Sequence, residues 1–300
     1  MKHVKFCLLF AAFSVLVACG PNAENQRRQS REERAALLRA DSAALKIAVL
    51  PTMDCLPLFI AVDDSSFKRA GVDVRLRRRN AQMDCDTLMK GGHVEGFVSD
   101  LIRTERMQRL GTPLKYIAAT NANWQLIGNR TARVKNVSQL SEKMIAVTRY
   151  SATSYLADMA VKEAKPKGDV FRIQINDVSV RLRMLLNNEM DAMLLPEPHA
   201  TTARLWKNTV LIDAASKDIR LGVIAFSAKA LENEKRKEQL KLFVKVYDQT
   251  CDSINKNGVK HYAAVISKYM GSDEKTIQAL PKMYYSHAHA PREKDMARAK

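Results

Sequence analysis

Cysteine is scarce in this 300-residue chain, with five residues, and no Cys-x-x-Cys or spaced His/Cys set points to a metal. Aromatic residues make up 6% of the chain, and no aromatic-rich basic motif of a nucleic-acid reader is present. No GxSxG, HExxH or phosphate-binding glycine loop occurs, so the sequence marks of those hydrolase, protease and nucleotide-binding sites are missing. Ser, His and Asp are present, yet nothing in their spacing marks a catalytic triad. Internal repeats and low-complexity tracts are absent. The mostly apolar run from Phe6 to Val17 is shorter than the about 20 residues that span a bilayer. Acidic residues number 32 against 49 basic ones, a formal charge of +17.

What is present begins at the N-terminus. Lys2 and Lys5 precede the apolar run, and Leu16-Val17-Ala18-Cys19-Gly20 follows it. A basic start, a short apolar core and small residues form an export signal. The five-residue segment resembles the bacterial lipoprotein box. That resemblance implies a signal peptide over 1–18 and a lipid on the Cys19 thiol, whose thiolate is the nucleophile for alkylation. It places the mature protein in the bacterial cell envelope, lipid-anchored and facing the periplasm or exterior. Residues 19–45 then read as anchor and basic tether, partly helical after Arg31. Arg27, Arg28, Arg31, Arg34 and Arg39 would attract anionic head groups or simply be solvated. Export argues against nucleic acid as the partner of the positive charge. Many charges lie on helix faces such as Glu232 to Lys241, where solvation is the default.

About 255 residues remain, enough for two lobes with separate cores. Strand and helix patterns alternate along them. Lys46 to Leu50, the alternating Val72-Val74-Leu76, Gly96 to Val98, Leu114 to Ala119 and Trp124 to Gly128 read as strands. So do Ile145 to Val147, Phe171 to Ile175, Ala192 to Leu195, Val210 to Ile212 and Gly222 to Phe226. Helices follow most of them, with Ser99-Asp100 as one cap, the hydroxyls of Ser151, Thr153 and Ser154 at the start of another helix, and Asp177 or Ser179 as a third cap. After Ala228 the pattern is helical, broken at Asn257-Gly258, Met270-Gly271-Ser272 and Pro281. The alternation predicts an α/β protein with mostly parallel sheets. On such sheets ligands bind beyond the carboxyl ends of the strands. The loops at 51–56, 80–84, 98–100, 149–154 and 196–199 occupy that position.

Met144 to Lys162 is the most informative stretch. It reads as a buried strand, a polar loop and a helix that starts beside Ser151, Thr153 and Ser154. Helix starts leave N–H groups unpaired and carry partial positive charge. Hydroxyls there cap the helix, or share those donors with an anionic ligand. Among the cysteines, Cys251 falls on an apolar helix stripe with Phe243 and Tyr247, as a buried free thiol. Cys55 and Cys85 each follow a strand. If those strands are neighbours, an oxidising compartment permits a Cys55–Cys85 disulfide; unpaired thiols or a metal role are the alternatives.

Several segments, in order behind the lipoprotein box, resemble the substrate-binding lipoproteins of ABC importers. The nitrate, sulfonate, taurine and thiamine-precursor class is the nearest in pattern. Carriers of the resemblance are Lys46-Ile47-Ala48-Val49, Phe67 to Val74, Leu88 to Gly96, Val137 to Tyr155 and Asp191 to Pro198. The chain departs from that class at Arg149 to Thr153, where a glycine-rich loop is commoner, and at Met53-Asp54-Cys55 and Phe97 to Asp100.

The resemblance implies a two-lobed periplasmic-binding-protein type 2 fold with a ligand cleft between the lobes. One lobe would be 46–122 with 227–300, the other 123–226. It implies capture of a small anionic or pyrimidine-like solute by cleft closure, an ABC permease as partner, a monomer, and neither catalysis, cofactor nor metal. The ligand contacts expected are Ser151 and Thr153, with Arg149, Tyr150 and Glu197 from the same lobe and Met53, Asp54 and Asp100 from the other. Capping, core packing and surface ion pairing compete for these residues. Trp124 lies at the expected crossover, and His287 and His289 read as an exposed pair. Two other functions use related architectures: cytoplasmic enzymes of quinone or thiamine-pyrimidine synthesis, which the lipoprotein box opposes, and a ligand-sensing lipoprotein.

Overall fold

Period-two burial builds the strands of this protein. In Leu45–Val49 (β1), Leu45, Ile47 and Val49 enter one apolar cluster and Ala48 the cluster on the opposite face, as successive side chains alternate across a sheet. The computed structural model describes residues 21–300, with side chains from residue 28 onward. The remaining strands are β2 (Val74–Arg78), β3 (Gly96–Asp100), β4 (Leu114–Ala119), β5 (Trp124–Gly128), β6 (Lys143–Val147), β7 (Val170–Gln174), β8 (Ala192–Pro196), β9 (Thr209–Asp213) and β10 (Gly222–Ser227).

They form two five-stranded sheets, β2-β1-β3-β10-β4 and β7-β6-β8-β5-β9. In the first, β1 runs parallel to β2 and β3, while β10 runs antiparallel to β3 and β4. In the second, β6 is parallel to β7 and β8, while β5 is antiparallel to β8 and β9. In each sheet four strands run one way and a single strand, β10 or β5, runs against them, so the sheets are mixed but mostly parallel in strand direction, as the alternation predicts. The chain enters the second sheet after β4 and returns to the first through β10. The two strands next to these passages, β5 and β10, run against their neighbours. Residues 222–226, assigned from sequence to the second lobe, pair in the first sheet, with Val223 opposite Ser99.

Glycine at the return is required by space. A Cβ on Gly222 would lie 2.2 Å from Thr120 Oγ1 and 2.5 Å from Ala122 Cβ, where the two crossovers touch. At Gly96 a Cβ would meet the Phe226 ring at 2.8 Å.

The helices of the first lobe are α2 (Leu56–Asp63), α3 (Ser66–Arg69), α4 (Gln82–Lys90) and α5 (Leu101–Arg109); numbering starts with α1 (Pro21–Ala43). The second lobe carries α6 (Ala152–Ala164), α7 (Val178–Leu186) and α8 (His199–Leu205). The chain ends with α9 (Glu234–Asn257), α10 (Ala263–Met270), α11 (Glu274–Ala279) and α12 (Glu293–Ala299). The first-lobe core lies between its sheet and α2 and α9. There Phe243 stacks on Phe67 with centroids 5.5 Å apart and meets Phe226 edge-on at 5.6 Å.

Helix α1 forms a unit separate from residues 45–300. It is helical from Pro21, ten residues before the sequence pattern suggests, and carries an Arg28–Glu32 pair at 3.1 Å. The expected signal over 1–18 and the lipid-bearing Cys19 lie outside the described residues. Among the described residues, no helix is long and apolar enough to cross a membrane.

The expected Cys55–Cys85 disulfide is not formed: both thiols are free and buried, as is Cys251. Cys55 packs with Ile47 and Val49 on one face of the first sheet, and Cys85 packs with Ala48 and Phe97 on the other. Adjacent strand ends placed the two residues near each other in sequence logic, but the sheet separates their side chains. Burial pushes the Cys85 thiol up to about 12.

Candidate functional site: a cavity between the lobes

Strand ends from both sheets meet around one cavity. Leu50 follows β1, Asn80 follows β2, and Ser99 and Asp100 end β3; Thr148 follows β6, Asn176 follows β7 and Pro196 ends β8. Trp124, the first residue of β5, also stands on the wall. The volume is about 40 Å³, room for about three waters when one needs about 10–15 Å³. The lobes touch directly around it. Met53 N donates to the Glu197 carbonyl oxygen at 3.0 Å and Val178 N to the Asn80 carbonyl at 3.3 Å. Arg103 Nη1 donates to the Arg149 carbonyl at 3.1 Å, and Ala81 forms a β-bridge with Asp177.

Charge in the cavity is divided by lobe. Asp54 and Asp100 come from the first lobe and Arg181 from the second, and all three are buried. Burial raises the Asp54 carboxyl above its usual range, opposed by hydrogen bonds from Thr52 and Thr120. Burial lifts Asp100 to about 6, opposed by the Arg103 charge and by backbone N–H groups of Arg103 and of Ala152 in the other lobe. Burial lowers Arg181 to about 10. Its Nη1 donates to the Leu194 carbonyl at 2.9 Å, while its Nε has no partner. Thr148 Oγ1 is likewise buried without a partner. An unpaired buried donor is costly, so these two atoms are left with unused hydrogen-bonding capacity on the second-lobe side of the cavity.

Ser151 and Thr153 line the cavity and also cap α6. Ser151 Oγ donates to the Thr148 carbonyl at 2.7 Å and accepts from Thr153 N at 3.1 Å. Thr153 Oγ1 accepts from Thr148 N at 2.8 Å, and Ser151 N donates to Ser154 Oγ at 3.1 Å. The capping weighed in the sequence is present, and the same two residues stand on the cavity wall. Asp100 stands near the same helix start from the opposite lobe, close enough for the Ala152 N–H to hold its carboxyl down against burial.

Of the eight ligand contacts expected, the structure gathers Asp54, Asp100, Ser151 and Thr153 at the cavity. Met53 is packed in the first-lobe core and acts through its backbone. Glu197 turns away: Oε2 accepts from Thr201 N at 2.9 Å and Thr201 Oγ1 at 2.6 Å, and Oε1 pairs with Arg204 at 2.8 Å. Arg149 and Tyr150 face outward, with the Tyr150 ring 4.3 Å from the Arg106 guanidinium. His287 and His289 are both exposed, and His287 pairs with Asp252 at 2.7 Å. Sequence reasoning did not single out Arg181. A signal was available: residue 181 lies one turn after Val178, on the same helix face, and Val178 follows the Asp177 cap at a strand end.

No family model matches the sequence, and no curated protein matches it. Solved structures do resemble the fold. The alkanesulfonate-binding protein SsuA from Xanthomonas axonopodis pv. citri, bound to MOPS, aligns with TM-score 0.72 at 12% identity, covering 86% of this chain and 90% of its own. The ligand-binding component of an ABC-type import system from Staphylococcus aureus, with zinc bound, aligns at 0.67 and 14% identity, covering 82% and 86%. The periplasmic nitrate-binding protein NrtA from Synechocystis PCC 6803 aligns at 0.66 and 14%, covering 78% and 68%. The chain has the two-lobed α/β fold of periplasmic binding proteins.

Proposed function

We propose that this protein is the solute-binding component of an ABC importer, anchored at Cys19 and working without catalysis. The observation that carries the reading is the cavity at the strand ends of both sheets, lined from both lobes, with Arg181 and Thr148 on its wall carrying the unpartnered Nε and Oγ1. A ligand that touches both lobes favours the closed form over the open one, and a membrane permease would read that difference. The resemblance to import-system binding proteins supports the same role.

The side chains narrow the solute. Two carboxyls on the first lobe repel a bare oxyanion and accept hydrogen bonds. Arg181 and Thr148 on the second lobe donate. A compact solute with a donor edge and an acceptor edge meets both walls, which favours the pyrimidine-like side of the sequence expectation over nitrate or sulfonate. Binding measured by native mass spectrometry of gently purified protein tests this. A small-molecule adduct lost on denaturation, with a mass that fits such a solute, is expected. Neither an adduct nor a thermal shift with any member of a heterocycle and oxyanion panel would sink the reading. A ligand at 100 times its dissociation constant should stabilise the fold by about 2.7 kcal/mol.

A further inference from the structure

A second concavity, of about 310 Å³, opens on the outer edge of the lobe seam. Its floor is a buried ion pair in which Arg103 Nε donates to Asp86 Oδ2 at 2.9 Å. The same guanidinium crosses the seam to the Arg149 carbonyl at 3.1 Å. Three more cations stand on the walls: Lys90 and Arg106 from the first lobe and Arg149 from the second. Lys90 and Arg106 are close enough to pull the Asp86 carboxyl down against its burial. Among the described residues, none of the three has a carboxylate partner within 4.0 Å. Four cations thus line a concavity whose one carboxyl, Asp86, Arg103 already neutralises.

Like charges drawn together from two lobes oppose the closure that the rest of the seam favours. A merely solvated patch would spread such residues over a convex face. Here they converge on a concave one, and the wall between them is aromatic. Tyr150 adopts a left-handed backbone, φ 55°, a conformation that costs a bulky residue energy and occurs at ligand clamps. Its ring is held by Arg106 across the seam, 4.3 Å from the guanidinium.

We propose that this concavity is an anion site for a phosphoryl group carried on a small body that packs against Tyr150. Arginine forks match a phosphoryl oxygen pair, and a dianion neutralises the excess charge. The volume falls at the lower end of small-ligand sites. Because the cations come from both lobes, the bound anion stabilises closure from outside. It is therefore coupled, reciprocally, to whatever occupies the inner cavity. The site stands independently of the identity of that inner solute. The phosphoryl group could be that of a soluble metabolite or of a phospholipid head group, and the chemistry is the same.

The test is isothermal titration of the full chain in neutral detergent with phenyl phosphate, and with dihexanoyl phosphatidic acid below its micellar concentration. Saturable phenyl phosphate binding is expected, weakened at least tenfold by Arg106→Gln with Arg149→Gln. Lys207→Gln with Lys229→Gln removes the same charge elsewhere on the surface and should leave affinity within twofold. Tighter binding of the diacyl probe, also lost in the first double variant, assigns the site to a lipid head group. Equal or weaker binding of that probe assigns it to a soluble phosphate. No saturable binding of either probe, or equal losses in both double variants, would overturn the proposal.

Discussion

Asp100 caps α5 by accepting from Arg103 N at 3.0 Å, and it does so inside a cavity that penalises its charge. An unfolded aspartate titrates near about 3.9; in the fold, burial lifts Asp100 to about 6. The folded state therefore holds this proton more tightly than the unfolded chain. The resulting stabilisation is fully present below about pH 4 and is lost as pH rises through about 6. Asparagine caps helices as well as aspartate does. Asp100→Asn should accordingly gain stability relative to wild type between pH 4 and pH 7, by about 1–3 kcal/mol. Urea unfolding at both pH values reads the difference, and a constant offset would count against the burial argument. Ser151 offers a simpler case. Its hydroxyl closes the α6 cap, so Ser151→Ala should cost about 1 kcal/mol in the same assay.

At the level of elements, the two crossovers and the aromatic stack are the sensitive joints. Gly222→Ala places a methyl against Thr120 and Ala122, atoms of the opposite crossover rather than the tip of a long side chain. Overpacking of this kind costs about 1–3 kcal/mol, visible as a lower urea midpoint with unchanged slope. Phe243 bridges Phe67, Phe226 and Tyr247 between α9 and the first sheet. Phe243→Ala should lose about 3–5 kcal/mol, and a loss below 1 kcal/mol would show that the surrounding rings collapse into the space.

Across the whole molecule, the C-terminal segment links the first sheet to the second crossover. The His289 carbonyl accepts from Ala119 N at 2.8 Å at the edge strand β4. Arg292 pairs with Asp218 at 2.5 Å, and Arg220 N donates to Asp295 Oδ1 at 3.3 Å. Asp295 is fully buried between Arg292 and Arg298, and α12 packs on α5. Removing residues 292–300 should lower the melting temperature and speed amide exchange over 214–221 more than over β1 or β6. Uniform exchange across both lobes would mean that the segment is not a local strap.

How far the chain could be read follows from the range of each interaction. β4 and β5 were legible to the residue, and the caps Asp100, Ser151 and Asp177 to within two or three positions, because alternation and capping are written within a few neighbouring positions. The loops that meet at the cavity were legible too, since strand ends in α/β sheets face one edge. Arg181, the outward turn of Glu197 and the unpaired Cys55 and Cys85 were not. Each depends on which face or lobe a side chain meets, and that is set by contacts far apart in sequence. The sequence by itself determined the elements, their order and the two-lobed α/β class. The tertiary structure alone decided that β10 pairs between β3 and β4 in the first sheet, that Asp100 and the α6 start face one cavity, and that four cations line the concavity beside Tyr150. Local propensity acts over one or two turns, whereas these arrangements exist only once two distant crossovers have brought the lobes together.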